Sequence, residues 1–311
     1  MNKTILITGA NAGIGKEVAR QLALKSETEK IYLACRNEDK ALDAKKYLEE
    51  VTGKNIFEII LLDVANVDSV KSAVNKIESI NALVMNAGGM GGKDPGGITS
   101  EGVTNIFAAN VLGHAILLEG LLNANKLKNA ALFVGTEAAR GIPKMGFKRP
   151  ALNSYSPEEF LSLTNGSYWG DKFEPMQAYG HVKYMATLWM SALARRYKDI
   201  RFVTMSPGGT GGTNVMEDLP PVSKFLFKYV GTKLMPLMGM MHRLEVGSKR
   251  IVDGITDNSY ESGVFYASKE KVLTGPVVDQ SILFGDLTNE THQESAYEAM
   301  QRLIQRESAL V

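Results

Sequence analysis

The chain has 311 residues, with 35 Lys and Arg against 34 Asp and Glu, and 44% of its residues are hydrophobic. A chain of this length buries about three quarters of the surface that its unfolded state exposes, so it can fold without disulfide or metal cross-links. The net charge of +1 provides no excess of positive charge for phosphates, so a nucleic-acid partner is not expected. The single cysteine, Cys35, excludes an internal disulfide and is typical of a reducing compartment.

Neither a membrane-spanning segment nor a targeting segment is evident in the sequence. Each apolar run is shorter than the ~18 residues that a membrane-spanning helix needs. The apolar run near the N-terminus breaks at Thr8 and Gly9, too early for the core of a signal peptide. We therefore expect a soluble, cytoplasmic protein.

Short apolar runs alternate with amphipathic segments through the first two thirds of the chain. The pattern predicts strands over Thr4–Thr8, Ile31–Cys35, Ile56–Leu62, Ala82–Met85, Ala131–Val134 and Arg201–Met205. It predicts helices over Ile14–Lys25, Asp39–Val51, Val67–Ile77, Val103–Asn123 and Gln177–Tyr197. Strands that are apolar throughout indicate a parallel sheet with helices on both faces. The prediction is an α/β fold, a doubly wound parallel sheet of the Rossmann type, in a single domain over residues 1–311.

Three irregular segments follow the predicted strands: the glycine-rich run Gly88–Gly97 and two insertions at about 141–176 and 209–247. Ligands of doubly wound sheets bind outside the carboxyl ends of the strands. We therefore expect these segments to surround a site, with the two insertions forming a substrate lid. For the glycine-rich run, a purely surface role is an equal alternative.

The sequence TGANAGIG at 8–15 lies between the first strand and the first helix. Glycines there allow a tight turn and close backbone approach, and the helix N-terminus offers free N–H groups to a pyrophosphate. The predicted dinucleotide contacts in this loop are Gly9, Asn11, Ala12, Gly13, Ile14 and Gly15.

The end of the second strand indicates which dinucleotide binds. An NAD site would place Asp or Glu about 20 residues after the glycines, where it accepts hydrogen bonds from the ribose. This chain has Cys35 there, followed by Arg36, whose planar fork suits a 2′-phosphate. Lys40 is a second candidate cation. The sequence thus predicts NADP(H) rather than NAD(H).

A phenol and an ammonium group one helical turn apart form an acid/base pair, because the cation favours the phenolate. The Y-x-x-x-K pattern occurs three times, at 168–172, 179–183 and 229–233. The copy at 179–183 opens a long predicted helix that leads into a predicted strand. Tyr179 and Lys183 are therefore the candidate pair, and we expect Lys183 to lower the pKa of Tyr179.

Further motifs occur in a fixed order between these elements: Asp63-Val64, Asn86-Ala87-Gly88, Asn110, the pair Tyr179 and Lys183, and Ser206-Pro207-Gly208. With TGANAGIG, they resemble the short-chain dehydrogenase/reductase family over most of residues 1–215. The branch that contains retinol dehydrogenases, protochlorophyllide reductases and carbonyl reductases is the most similar.

The resemblance implies a role for each motif. Tyr179 would be the general acid for a carbonyl oxygen, Lys183 would bind the nicotinamide ribose, and Asn110 would hold a water that relays protons from Lys183. The adenine end would contact Asp63, Val64, Asn86, Ala87 and Gly88, and the nicotinamide side would contact Pro207 and Gly208.

One position departs from the family pattern. The family usually has Ser at the end of the fifth strand, where it hydrogen-bonds the substrate oxygen, and this chain has Thr136. Thr keeps the hydroxyl but adds a methyl group and restricts χ1. We interpret Thr136 as a competent substitute, with weakened or lost activity as the alternative. His114 and His181 are interpreted as structural residues, and no residue spacing suggests a metal site.

The insertions suggest a class of substrate. Thr136 and Tyr179 are 43 residues apart, and a long insertion at this place is similar to that of monomeric carbonyl reductases. We therefore expect a monomer, with a homodimer as the alternative. The second insertion is rich in Met and Phe, which adapt to apolar shapes, and this indicates a lipophilic carbonyl or alcohol substrate. Cations between its apolar residues make peripheral membrane contact an open alternative.

The sequence as a whole predicts an NADPH-dependent oxidoreductase that reduces a carbonyl group or a polarised C=C bond by hydride transfer. Three alternatives stay open: a non-catalytic NADP(H)-binding regulator of the same fold, an NAD-dependent alcohol dehydrogenase, and a sugar-nucleotide epimerase. The last is disfavoured by its different glycine spacing.

Overall fold

The computed structural model describes residues 3–143, 147–212, 241–270 and 272–309. Its strands are β1 (Thr4–Thr8), β2 (Lys30–Cys35), β3 (Phe57–Leu61), β4 (Ile80–Met85), β5 (Leu127–Val134), β6 (Arg201–Met205), β7 (Phe265–Ser268) and β8 (Val277–Asp279). They form an eight-stranded sheet in the order β3-β2-β1-β4-β5-β6-β7-β8. The strands from β1 to β7 are parallel, and β8 is antiparallel to β7.

Helices cover both faces of this sheet, as the alternation of segments predicts. They are α1 (Gly13–Ala23), α2 (Glu38–Thr52), α3 (Val67–Lys76), α4 (Asn105–Asn123), α5 (Pro157–Thr164), α6 (Pro175–Arg196), α7 (Leu244–Thr256) and α8 (Glu290–Ala309). Buried side chains of α3, α4, α6 and α8 pack on one face, and those of α1, α2 and α7 pack on the other. The doubly wound α/β fold is confirmed.

Helix α4 is apolar because it lies in the core. By length and hydropathy it could span a membrane, but 83% of its most apolar 18-residue window is buried inside the protein. Its middle, Ala108–Leu112, is a π-helical turn. Such turns are rare and are often found at functional sites.

The insertion at 141–176 is more regular than the sequence suggests. It contains α5, which begins at Pro157 behind the N-cap Ser156, whose side chain accepts a hydrogen bond from the N–H of Glu159. Proline is tolerated at this helical position because its missing N–H would have no partner there. Helix α6 also begins two residues earlier than predicted, at Pro175.

The predicted elements end at β6, whereas the structure continues with α7, β7, β8 and α8. Strands β7 and β8 extend the sheet beyond β6. Most of the second insertion, residues 213–240, lies outside the described residues, so the predicted apolar lid there stays a prediction.

Candidate active site

The loop between β1 and α1 has the close packing that a dinucleotide site requires. Gly9 and Gly13 have φ of +64° and +50°. A Cβ at Gly15 would overlap the carbonyl oxygen of Gly9 and lie 2.5 Å from Nδ2 of Asn86. Ala12, at the N-cap of α1, has no side-chain hydrogen bond to the helix. The first-turn N–H groups therefore have no side-chain cap, which is the arrangement that suits a pyrophosphate.

The ends of β1 and β4 are joined by the hydroxyl of Thr8. Its oxygen accepts hydrogen bonds from the N–H groups of Asn86 and Ala87, both at 2.9 Å. The side chain of Asn86 donates in turn to the carbonyl oxygen of Thr8 at 2.9 Å. These bonds fix the crevice between β1 and β4, where the strand order reverses and ligands of this fold bind.

The residues predicted to choose the cofactor lie at the rim of the crevice. Cys35 is buried at the end of β2, and burial raises the pKa of its thiol to about 11. Arg36 is exposed, and so is Lys40 on the first turn of α2. After β3, Oδ1 of Asp63 accepts a hydrogen bond from the N–H of Ala65 at 2.9 Å. The side chain of Arg36 is thus accessible to a phosphate.

Asn110 lies in the π-helical turn of α4 and is fully buried. Its Nδ2 donates to the carbonyl oxygens of Gly89 at 2.7 Å and Ile106 at 2.8 Å, and its Oδ1 accepts from the N–H of Gly89 at 3.3 Å. The side chain is therefore committed to the loop after β4. The predicted role of Asn110 in holding a relay water stays a prediction; its main-chain carbonyl oxygen, which has two lone pairs, is the atom that could accept from such a water.

Thr136, Tyr179 and Lys183 come together at the carboxyl end of β5. The Thr136 side chain interacts with the Tyr179 hydroxyl. One helical turn along α6, Nζ of Lys183 donates to the carbonyl oxygen of Val134 at 3.0 Å and lies 4.4 Å from the ring centroid of Phe133. The ring centroid of Tyr179 is 5.8 Å from the same Nζ. The structure thus brings the predicted acid, cation and substrate-binding hydroxyl into one cluster.

The pKa of Tyr179 is raised in this structure, whereas the sequence predicted that Lys183 would lower it. The Tyr179 side chain is partly exposed, yet desolvation around its hydroxyl raises the pKa to about 12. The hydrogen bond with Thr136 lowers this pKa, and the negative charge of Glu137 raises it. Burial also lowers the pKa of Lys183 to about 7, which weakens its cationic character. At Tyr179, desolvation therefore outweighs the interaction with Thr136, which lowers the pKa.

Ser206 fixes the predicted nicotinamide loop. Its Oγ accepts a hydrogen bond from the N–H of Gly208 at 3.1 Å, and Gly208 has φ of +78°. The short turn Ser206-Pro207-Gly208 follows β6 and lies beside the Thr136 end of β5.

Two comparisons with known sequences identify the family of this chain. The family model described as short chain dehydrogenase matches residues 3–142. The short-chain dehydrogenase/reductase prx1 of Penicillium roqueforti is 32% identical over 218 residues, which cover 67% of this chain and 57% of that protein. This chain belongs to the short-chain dehydrogenase/reductase family. The resemblance stated from the motifs is confirmed, and the family is one of oxidoreductases that bind nicotinamide cofactors.

One further relative and one solved structure are informative. Retinol dehydrogenase 11 of Mus musculus is 30% identical over 209 residues, covering 66% of this chain and 60% of that protein. The chain thus matches less than two thirds of the length of these curated relatives. A crystal structure of an uncharacterized protein from Mycobacterium paratuberculosis superposes with a TM-score of 0.69 at 20% identity, covering 97% of this chain and 93% of that one. This likeness shows the fold.

Sequence reasoning missed one buried group of this dehydrogenase/reductase. Glu137 directly follows Thr136 and is 3% exposed, and its Oε2 accepts a hydrogen bond from Ser206 Oγ at 2.5 Å. The only sequence signal is a charged residue beside a predicted catalytic one. Its partner lies 69 residues further along the chain, so no local pattern could reveal the contact.

The structure supports a structural role for His181. Its Nδ1 lies 2.8 Å from the carbonyl oxygen of Gln177, and its ring packs 5.6 Å from Tyr168 and 5.7 Å from Trp169, measured between centroids. The Y-x-x-x-K copy at 168–172 lies before α6 and ends in a single 3-10 turn. The copy at 229–233 lies outside the described residues.

Proposed function

We propose that this short-chain dehydrogenase/reductase is an NADPH-dependent reductase of the carbonyl group, or a polarised C=C bond, of a lipophilic small molecule. The observation that carries the proposal is the cluster of Thr136, Tyr179 and Lys183 at the carboxyl end of β5, where Nζ of Lys183 lies 5.8 Å from the ring centroid of Tyr179.

The chemistry follows from these side chains. The bound nicotinamide would supply the hydride. Thr136 would orient the substrate oxygen through its hydroxyl, and Tyr179 would transfer its proton to that oxygen. A pKa of about 12 keeps Tyr179 protonated at neutral pH, so its hydroxyl has a proton to donate. Lys183 would then return a proton to Tyr179, and a water held by the carbonyl oxygen of Asn110 would connect Lys183 to solvent.

The preference for NADPH rests on Arg36. It is exposed directly after β2, where an NAD-selective site would have a carboxylate at the preceding position. A guanidinium there can form a bidentate, charge-assisted pair with a 2′-phosphate. Lys40 is a second exposed cation one turn along α2.

The lipophilic substrate rests on sequence composition and on one relative. The insertion over 209–247 is rich in Met and Phe, and a relative at 30% identity is called a retinol dehydrogenase, whose namesake substrate is a lipophilic alcohol. The monomeric state and the cytoplasmic location stay predictions.

The experiment follows NADPH oxidation by absorbance against aromatic, aliphatic, quinone and steroid-like carbonyls, with NADH in parallel. Arg36→Ala should lower kcat/KM for NADPH by about tenfold or more and leave that for NADH unchanged. Lys40→Ala is the matched control, with a smaller effect expected. Tight NADPH binding without turnover on any compound would favour the regulator, and equal use of NADH would contradict the cofactor assignment.

A further inference from the structure

Glu137 is a buried carboxylate that the proposed chemistry does not use. It is the first residue of a 3-10 turn, Glu137–Arg140, that directly follows Thr136. Both carboxylate oxygens have partners. Oε2 accepts from Ser206 Oγ at 2.5 Å, and Oε1 accepts from the N–H of Ser268 at 3.2 Å. One side chain therefore links the ends of β5, β6 and β7.

The bond to Ser206 extends to the nicotinamide loop. The Ser206 hydroxyl donates to Glu137 and accepts from the N–H of Gly208 at 3.1 Å. Gly208 has no room for a side chain, since a Cβ there would lie 2.6 Å from Nη1 of Arg250 and 2.7 Å from the carbonyl oxygen of Leu273. The conformation of the loop thus depends on a chain of contacts that begins at Glu137.

Charged groups on several elements face this carboxylate. Arg140 lies on the same 3-10 turn, Arg250 on α7 and His242 just before α7, and Glu137 acts electrostatically on all three and on Tyr179 of α6. The two arginines are only 4% and 8% exposed. Burial lowers the pKa of each guanidinium and Glu137 raises it, so the carboxylate compensates two buried cations.

We propose that Glu137 is a positioning residue of this active site. Its carboxylate clamps the Pro207-Gly208 loop against β7 and against the 3-10 turn that follows Thr136. The inference rests on the proposed function, because the clamped loop is the predicted nicotinamide side. A second consequence follows from charge. Because Glu137 opposes ionisation of Tyr179, removing its charge makes the phenol more acidic.

The test combines NADPH binding, measured by cofactor fluorescence, with the pH profile of kcat for Glu137→Gln, Ser206→Ala and the double variant. Each single change should weaken NADPH binding about three- to tenfold. The loss of NADPH affinity in the double variant should not exceed that of the more affected single variant. In Glu137→Gln the alkaline limb of the kcat profile should move to lower pH by about half a unit or more. Ser206→Ala should leave that limb in place.

Glu119→Gln is the matched control. Glu119 is also a buried carboxylate, 6% exposed, but it lies on α4 and accepts a hydrogen bond from Gln301 at 2.7 Å. It should change neither NADPH binding nor the pH profile. If Glu137→Gln does not fold, Ser206→Ala alone tests the clamp.

The outcomes separate this inference from the proposed function. Wild-type protein that binds neither NADPH nor NADH overturns both. A wild-type enzyme that turns over, with Ser206→Ala and Glu137→Gln matching it in cofactor affinity, overturns the clamp alone. If the losses in NADPH binding free energy of the two single variants add up fully in the double variant, the clamp is also overturned. Glu137 and Ser206 act through the same hydrogen bond, so their effects should not be independent.

Discussion

Nε2 of His114 lies 2.9 Å from the hydroxyl oxygen of Thr8, which stands 106 residues earlier in the chain. Nδ1 of the same ring lies 3.1 Å from the carbonyl oxygen of Asn110, so Nδ1 carries the proton and Nε2 accepts from Thr8. Burial lowers the pKa of His114 to about 3, which keeps the ring neutral. The end of β1, before the predicted phosphate-binding loop, and the π-helical turn are thus joined by a neutral, buried histidine.

Thr8→Val tests this junction. The change keeps the shape of the side chain but removes the hydroxyl, leaving His114 and the N–H groups of Asn86 and Ala87 without their partner. We expect a loss of about 1–3 kcal/mol in the free energy of unfolding, measured by urea denaturation. Thr256→Val is the control, since its hydroxyl only bonds the helical carbonyl oxygen of Val252. Equal losses in the two variants would contradict the junction.

Gly113→Ala tests how closely α4 approaches the loop after β3. A Cβ at Gly113 would overlap the carbonyl oxygen of Val64, a backbone atom that cannot rotate away. We expect the free energy of unfolding to fall by about 1–3 kcal/mol, although alanine has the better helix propensity. The measurement is the Tm, which should be lower than that of wild type. In Gly120→Ala on the same helix, the new Cβ meets only the side chain of Val74 at 3.0 Å, so this variant should keep its Tm or gain slightly.

The buried ammonium of Lys183 should make stability depend on pH. Its pKa in the folded protein is about 7, below the ordinary value of 10.5, so between these values the unfolded state binds more protons. The contribution of Lys183 to the free energy of unfolding therefore rises as pH increases from about 7 to about 10. Lys183→Met removes this dependence. The free energy of unfolding of the variant should exceed that of wild type most near pH 7 and least near pH 10. A difference in this free energy that stays constant across that window would refute the shifted pKa.

Asp286 attaches the first insertion to the body of the protein. It is bonded to Arg149 Nη2 at 2.5 Å and to the Tyr184 hydroxyl at 2.6 Å. Burial alone would raise the pKa of Asp286, but these two hydrogen bonds hold it below its usual range. The stabilisation is therefore present above the unfolded-state pKa and is lost as pH falls through the lower folded-state pKa.

Asp286→Asn should lower the free energy of unfolding by about 1–3 kcal/mol at neutral pH and flatten its fall in acid. The control is Asp253→Asn, which breaks an exposed i,i+4 pair with Lys249 and should change stability by less than about 0.5 kcal/mol. An acid transition unchanged from wild type in Asp286→Asn would contradict the attachment.

Much of the fold could be predicted because the strands carry a strong local signal. Strands β1 and β6 begin and end where the apolar runs predict, since both are almost fully buried. Strands β7 and β8 have four and three residues, too short for a periodic pattern, and were not predicted. The π-helical turn around Asn110 has no such signal either, because its apolar residues fit an ordinary helix equally well.

Only those residues of the candidate site that belong to a local sequence motif could be predicted. Tyr179, Lys183 and Thr136 come from local patterns, and the structure brings them together. The raised pKa of Tyr179 was not predicted, because it depends on desolvation by the surrounding fold, which has no local sequence signal. Glu137 was missed because its partners are 69 and 131 residues away.

The most direct test compares wild type with Tyr179→Phe in NADPH-dependent carbonyl reduction, with the dissociation constant of NADPH measured for both. We expect kcat to fall about 10²- to 10⁴-fold while NADPH binding is kept, because only the proton donor is removed. Tyr168→Phe, in the neighbouring Y-x-x-x-K copy, is the control and should retain full turnover, since its hydroxyl only bonds the carbonyl oxygen of Ala151. Wild-type turnover in Tyr179→Phe would contradict the assignment of Tyr179 as the proton donor.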